Sequence, residues 1–300
     1  MTVLAKANNV VALNETCAAF VSEKSDVLAS KGWKGRINIV LSERHNTTVL
    51  SELEHEGPLR IQRPFYPEGE LCHIYLIHPP GGLVGGDLLE IRVKANTGAQ
   101  ALFTSPGSTR FYRSAGDFAT MELRMDIESG SSLEWFPQEN IFFPGAKAKI
   151  NTTIALQENA KFMGWDINCL GMPVKNEKFL SGQVDNRFLL KRNGKPLLLE
   201  RLRVSSVGQL EAQSGLRGYP MQASFFATGC NELILEKVKE NLLAAKPVYP
   251  WGATLIEDLL IVRVLGERTE KIQAMLIPVW KLLRPLLLNK DAVVPRIWAT

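Results

Sequence analysis

Five carboxylates occupy settings that ought to repel them. Asp87 ends a glycine-rich run, Glu134 and Glu139 lie in the aromatic segment Leu133-Glu134-Trp135-Phe136-Pro137-Gln138-Glu139, Asp166 follows Gly164-Trp165, and Glu200 follows three leucines. A carboxylate titrates near 4 in water and is costly to bury unpaired. Each therefore has to meet an arginine, a backbone donor, a metal or trapped water. Salt bridges with Arg63, Arg110, Arg113, Arg201 or Arg203 are the simpler outcome for any single carboxylate. Taken collectively, the five describe a hydrated acidic passage, and both readings stay open at this point.

Cys72, His73 and His78 resemble metal ligands until strand geometry is applied. On an extended strand Cys72 and His78 share a face but lie roughly 20 Å apart at about 3.3 Å per residue, while His73 points to the other face. A metal site here has to recruit other strands. In His78-Pro79-Pro80-Gly81-Gly82-Leu83-Val84-Gly85-Gly86-Asp87, the residues Gly81 and Gly86 have the spacing of a phosphate loop. Lys and Ser/Thr should follow, whereas Asp87-Leu88 would set a carboxylate against a polyphosphate, so nucleotide hydrolysis is not expected. His78 to Gly82 also faintly matches a lipase oxyanion loop, but no G-x-S-x-G nucleophile elbow accompanies it. The glycines fit an irregular loop that needs positive φ and close backbone approach.

These residues are carried by a strand-rich body. From about residue 31 to 207, short β-branched or aromatic runs alternate with Gly, Pro and Asn, and no helical period is sustained. Strands are expected over 35–42, 48–54, 72–78, 88–93, 99–104, 118–127, 132–136, 149–156, 161–167, 186–191 and 197–204, separated by turns such as Asn96-Thr97-Gly98 and Arg192-Asn193-Gly194. Residues 208–300 read as mixed α/β. Asn231 is placed to cap a helix over 232–246, 254–265 reads as a strand, and a helix starts near Thr269. In that last helix Ile272, Met275, Leu276, Val279, Leu282, Leu283 and Leu286 share one face, and Pro278 should kink it. No repeat of clear fixed period is visible.

Composition narrows the function classes. With 45% hydrophobic residues the 300-residue chain can bury a large core. Its 35 Lys+Arg against 31 Asp+Glu leave only +4, too even for nucleic-acid binding. Cys17, Cys72, Cys169 and Cys230 form no C-x-x-C pair, so reduced thiols in a cytoplasmic protein are expected. Lys6, Asn8, Asn9, Asn14 and Glu15 interrupt any signal-like apolar run. The apolar stretch 272–288 carries Lys281 and Arg284, each costing roughly 2.5–3.5 kcal/mol at a bilayer centre, so no membrane span is expected.

The order of several segments resembles the UreD (UreH) family of urease accessory proteins. Gly57-Pro58-Leu59, Gln62-Arg63-Pro64-Phe65-Tyr66-Pro67, Cys72-His73 and the loop from His78 to Asp87 succeed one another as in that family. Thr104-Ser105-Pro106-Gly107-Ser108-Thr109-Arg110-Phe111-Tyr112-Arg113-Ser114 is similar to its T-x-P-G-x-x-K/R-F-Y-R-S segment. The aromatic segment ending at Glu139, Phe142-Phe143-Pro144-Gly145-Ala146, Gly164-Trp165-Asp166, Cys169-Leu170-Gly171-Met172-Pro173 and Pro196-Leu197-Leu198-Leu199-Glu200-Arg201-Leu202 continue the likeness. Leu283-Arg284-Pro285 and Pro295-Arg296-Ile297-Trp298 close it. Met172 departs from the pattern, which has arginine there.

The resemblance implies a mainly β, right-handed β-helix-like body with a small α/β C-terminal part containing about two helices. It spans a single domain, 31–300, preceded by an N-terminal extension, 1–30, compatible with disorder. It further implies a cytoplasmic, non-enzymatic nickel-insertion chaperone without catalytic residues or a tightly held cofactor. Such a protein acts with UreF and the GTPase UreG on apo-urease, in a complex expected to be dimeric, and handles nickel only transiently. His78, Gly81, Gly82, Gly85, Gly86, Arg110, Tyr112 and Arg113 belong to the family's motif loops. Nickel binds imidazole and thiolate sites strongly, so a conduit should rely on water and occasional carboxylates. Asp166 and Glu200 are the leading candidates for that lining, with Asp87 and Glu139 behind them. The alternative is a docking scaffold without a passage, using the 272–286 face and Phe65-Tyr66 as partner surfaces.

Overall fold

The computed structural model describes residues 32–299; the extension 1–30, with Cys17, lies outside the described residues. β1 (Lys34–Arg44) and β2 (Thr47–Glu56) form an antiparallel hairpin. Its turn residues His45 and Asn46 take φ of 53° and 62°, the left-handed pair that a two-residue hairpin turn requires. After the short β3 (Arg60–Ile61), the chain is laid down in coils. β1 with β4 (Cys72–Ile77) and β5 (Gly82–Leu83) makes the first coil, and β6 (Leu88–Ala95), β7 (Gln100–Thr104) and β8 (Thr109–Phe111) make the second. β9 (Ala119–Ile127), β10 (Ser132–Phe136) and β11 (Asn140–Phe142) form the third. In the fourth, β12 (Lys147–Leu156) leads into β13 (Lys161–Met172), long enough to pair with both β10 and β11.

Equivalent strands of successive coils pair in parallel, giving a β-solenoid of about four turns. The mainly β body expected from the sequence is thus present. No fixed period was visible because the coils differ in length: Leu88 lies beside Thr120, Ala119 beside Ala148, and Lys147 beside Gln183. After β14 (Glu177–Lys178), β15 (Gln183–Arg192) adds to β12, and β16 (Lys195–Val204) turns back antiparallel to end that sheet.

The remaining chain extends the second sheet, that of β4, β7, β10 and β13, with three antiparallel strands and packs helices on its outer face. Past α1 (Val207–Glu211), β17 (Met221–Ala227) pairs antiparallel with β13. α2 (Glu232–Ala244) follows, with Asn231 Oδ1 accepting from the Ile234 N–H at 3.0 Å as an N-cap. The segment 254–265, expected as one strand, is a hairpin of β18 (Trp251–Ile256) and β19 (Leu259–Gly266), turned at Glu257 with φ of 53°. α3 (Thr269–Leu288) is continuous through Pro278 and Pro285. Five of the seven positions expected on its buried face, Ile272, Met275, Leu276, Val279 and Leu283, are buried; that face also takes in Trp280, Arg284 and Leu287, while Leu282 is half-buried and Leu286 is 47% exposed.

The two sheets differ in pattern because they differ in cover. The first is bare outside, so β6 and β9 alternate buried with accessible positions. The second is covered on both faces, and β7, β10, β13 and β17 are nearly continuous buried runs. Their inward side chains, such as Leu133 and Phe162, join Ile91, Leu123 and Ile150 around the solenoid interior. Their outward ones, such as Phe136, Trp165 and Phe225, pack under Leu235, Leu276 and Trp280 of the helices. The apolar face of α3 is therefore core, not a free partner surface.

Candidate functional site

Between the sheets lies a cavity of about 400 Å³. Its wall runs from Ile77, His78 and Leu89 of the early coils to Phe188 and Phe226 at the far end. Crossing β6, β9, β12 and β15 covers three strand spacings, roughly 14 Å at about 4.8 Å each. Most of the wall is apolar. The charged or polar groups on it include His78, Arg110, Asn140, Thr152 and Asp166, and Asp166 is the one carboxylate there among the described residues.

Asp166 and Asn168 alternate with outward-facing Trp165 and Ile167 on β13, which aims both polar side chains inward. The Asp166 carboxylate accepts from Asn186 Nδ2 at 2.7 Å, Asn168 Nδ2 at 2.8 Å and Asn140 Nδ2 at 3.3 Å. Burial pushes its pKa up, the amide donors of Asn168 and Asn186 oppose that, and the nearby charge of Glu200 adds to the upward push. Glu200 on β16 is not on the cavity wall. It accepts from Arg263 Nε of β19 at 2.9 Å and from Ser224 Oγ of β17 at 3.3 Å.

The other two candidates sit elsewhere. Asp87 accepts from the Trp33 N–H at 2.8 Å and the Val84 N–H at 2.9 Å, clasping the glycine loop to the start of β1. Glu139 lies between β10 and β11, where burial pushes its carboxyl up against the pull of its own N–H, the Thr269 hydroxyl and Arg110. Neither lines the cavity. The structure therefore brings Asp166 and Glu200 near one another and leaves Asp87 and Glu139 apart from them.

The motif loop divides in the same way. His78, Gly81 and Arg110 reach the cavity wall. Burial lowers the His78 pKa, nearby Asp87 partly offsets this, and its buried Nδ1 has no hydrogen-bond partner among the described residues. The neighbouring glycines are packing residues. A Cβ on Gly82 would lie 2.3 Å from the Tyr112 ring and 2.9 Å from the Arg110 carbonyl oxygen, and one on Gly85 2.2 Å from Ser114 Oγ. Gly86 takes φ of 94°. Tyr112 packs on Phe143 with ring centroids 4.9 Å apart, and Arg113 bridges to Ala146 in the next coil.

A buried ionic network went unread in the sequence. Glu134 was expected to pair with Arg63, Arg110, Arg113, Arg201 or Arg203; its partner is Arg284 of α3, whose Nε lies 3.1 Å from both carboxylate oxygens. Trp280 Nε1 donates to Glu134 at 2.7 Å. The same guanidinium donates to Glu68 at 2.6 and 2.9 Å, and Glu68 lies 2.6 Å from His73 Nε2. Burial alone would raise Glu68, but hydrogen bonds from His73 and Arg284 hold it below the usual carboxylate range. For Glu134, burial outweighs Arg284 and Trp280 and pushes the pKa up. The signal available in sequence was Arg284 on the apolar face of an otherwise leucine-rich helix.

The thiols are not poised as soft ligands. Burial pushes Cys72 up to about 11 and Cys169 and Cys230 up to about 12, so all three are protonated near neutrality. Among the described residues no group of three or more His, Cys, Asp or Glu side chains is placed to hold a metal ion, and no helix is long and apolar enough to cross a membrane.

Comparison with known proteins matches residues 34–299 to the model of the UreD urease accessory protein family. The urease accessory protein UreD of Alcanivorax borkumensis is 53% identical over 274 residues, covering 90% of this chain and 93% of that protein. Those of Pseudomonas entomophila and Aliivibrio fischeri are 41% identical over 272 residues and 39% over 283, covering 91% of this chain in each case and 96% and 98% of the relatives. With the solenoid, the motif loops and these matches agreeing along nearly the whole chain, the protein belongs to the UreD family of urease accessory proteins.

Proposed function

We propose that this chain is a non-enzymatic nickel-insertion chaperone that works with UreF and the GTPase UreG on apo-urease, and that its solenoid interior conducts nickel. The observation that carries the reading is the cavity between the sheets, on whose wall Asp166 is the one carboxylate among the described residues. At about 30 Å³ per molecule the space accommodates on the order of a dozen waters, so the ion travels hydrated. Weak holding is what transit demands, and it is supported by an oxygen ligand at Asp166 and by thiols that stay protonated. Glu200, beyond Asp166, marks the outward end of the route. Nickel is cargo here, no cofactor is retained, and the accessory complex operates as a dimer in the cytoplasm.

Urease activity and nickel content, measured after co-production of apo-urease, UreF and UreG with Asp166→Leu in place of the native chain, test this. The expected result is loss of both at limiting nickel with the accessory complex still assembled. Normal activation by Asp166→Leu sinks the passage. That outcome favours a docking scaffold instead, for which exposed apolar side chains such as Trp33, Val174 and Val248, at 71%, 94% and 73%, are candidate contacts.

A further inference from the structure

Behind Asp166 the cavity ends in a layer of carboxamides. On β13, Asn168 is flanked in register by Asn140 of β11 on one side and Gln222 of β17 on the other, while Asn186 arrives from β15 of the facing sheet. Asn140 and Asn186 each direct Nδ2 both to Asp166 and to Asn168 Oδ1, the latter at 3.3 and 3.1 Å. The three are 9%, 0% and 4% exposed for Asn140, Asn168 and Asn186. Asn140 and Asp166 are on the cavity wall, whereas Asn168 and Asn186 stand behind it.

Past this layer a polar chain leads outward. Asn168 Nδ2 faces Gln222 Oε1 at 3.4 Å, Gln222 Nε2 donates to Ser224 Oγ at 2.8 Å, and Ser224 donates to Glu200. Glu200 pairs with Arg263, whose side chain is 45% exposed. The amides therefore separate the cavity from a polar route to the surface, and passage along it requires them to rearrange.

The choice of neutral partners is informative. A buried carboxylate is commonly balanced by arginine, as Glu134 is by Arg284. A fixed cation beside Asp166 would repel a divalent metal ion, whereas an amide stabilises the carboxylate without opposing one. Half a turn of the amide plane exchanges its NH₂ for its oxygen. One carboxylate plus three amide oxygens is a hard, oxygen-only set that holds a divalent transition metal loosely compared with imidazole or thiolate.

We propose that Asn140, Asn168 and Asn186 form the gate of the cavity: closed, they donate to Asp166; open, they turn their oxygens to a divalent cation and hand it toward Glu200. The inference rests on the nickel-passage reading and assigns that passage its specificity-determining residues. The test uses the full-length chain carrying Asn168→Asp, Asn186→Asp or Asn168→Leu, with Asp166→Leu alongside. Nickel binding is measured by equilibrium dialysis against nickel chloride, urease activation at limiting nickel in the complete system, and folding by near-ultraviolet circular dichroism.

A second carboxylate beside Asp166 should tighten nickel binding at least about tenfold and slow activation, because release becomes limiting. Asn168→Leu should slow activation without gaining affinity. If folded Asn168→Asp and Asn186→Asp bind nickel no better than the native chain, the gate is overturned. If Asp166→Leu slows activation while every amide variant activates normally, the passage stands and the gate fails. If activation is unchanged in all four, the passage reading fails and the gate falls with it, however tightly the aspartate variants bind.

Discussion

Replacing Arg284 by Met should destabilise the protein more than any other single charge removal, and the structure sets the size of the effect. Arg284 and Glu134 are 0% and 1% exposed and the Glu68 side chain 7%, so solvent screens none of the three appreciably. Methionine keeps much of the stem packing but strands two carboxylates that share one guanidinium. Breaking a buried ion pair from one side costs about 3–5 kcal/mol, which for a domain of this size lowers the melting temperature by roughly 5–10 °C. The stranded carboxylates escape part of the cost by taking up protons, so the deficit should be larger at pH 7.5 than at pH 5.5. Adding Glu68→Gln and Glu134→Gln to Arg284→Met should recover part of the loss, since the amides remove the uncompensated charge. Calorimetric melting of the native protein, Arg284→Met and the triple variant at both pH values is the assay. A drop below about 2 °C for Arg284→Met, or no recovery in the triple variant, refutes the claim that α3 is locked to the solenoid by charge.

Three further outcomes follow from local geometry. Asp258 is pushed up by burial but held below the usual carboxylate range by Arg192 and the Gly229 N–H; its folded pKa is depressed, so its stabilisation is full above about pH 4 and lost as pH falls below that. Asp258→Asn should accordingly flatten the acid limb of a stability-versus-pH curve, and an unchanged limb counts against the pairing. Gly82→Ala should cost on the order of 1–3 kcal/mol in denaturant melts, because its Cβ would lie 2.9 Å from the Arg110 carbonyl oxygen; a neutral result means the glycine loop is looser than its packing indicates. Cys72, Cys169 and Cys230, buried and with pKa values of about 11, 12 and 12, should resist thiol reagents at pH 7.5 until the chain unfolds, and rapid labelling of any of them in the native state contradicts their burial.

The strands were legible because their signals are local. Alternation along β6 and β9 comes from one solvated face, and the expected spans 88–93 and 118–127 fall within the observed Leu88–Ala95 and nearly coincide with Ala119–Ile127. The solenoid was not legible from periodicity, because coils of unequal length remove the fixed repeat; the family resemblance supplied it. β17 was missed although Pro220 and Gly229 bracket it, because Met221–Ala227 is covered on both faces and so lacks the alternation of a half-exposed strand. The hairpin in 254–265 was missed because its turn has no glycine and uses Glu257 in a left-handed conformation that single-residue preferences disfavour.

Partners distant in sequence were the least readable feature, and they decide what each carboxylate does. Glu134, Asp166 and Glu200 look alike as single acids in apolar runs, yet one meets arginine 150 residues away, one meets three amides from three strands, and one meets an arginine near the surface. A fully paired Glu134 has no capacity left for a metal ion, whereas Asp166 has only neutral donors that can turn away. On the proposed passage, the neighbours' charge separates these roles: the buried, fixed Arg284 makes Glu134 a structural acid, whereas reversible amides leave Asp166, and an arginine 45% exposed leaves Glu200, open to a passing cation.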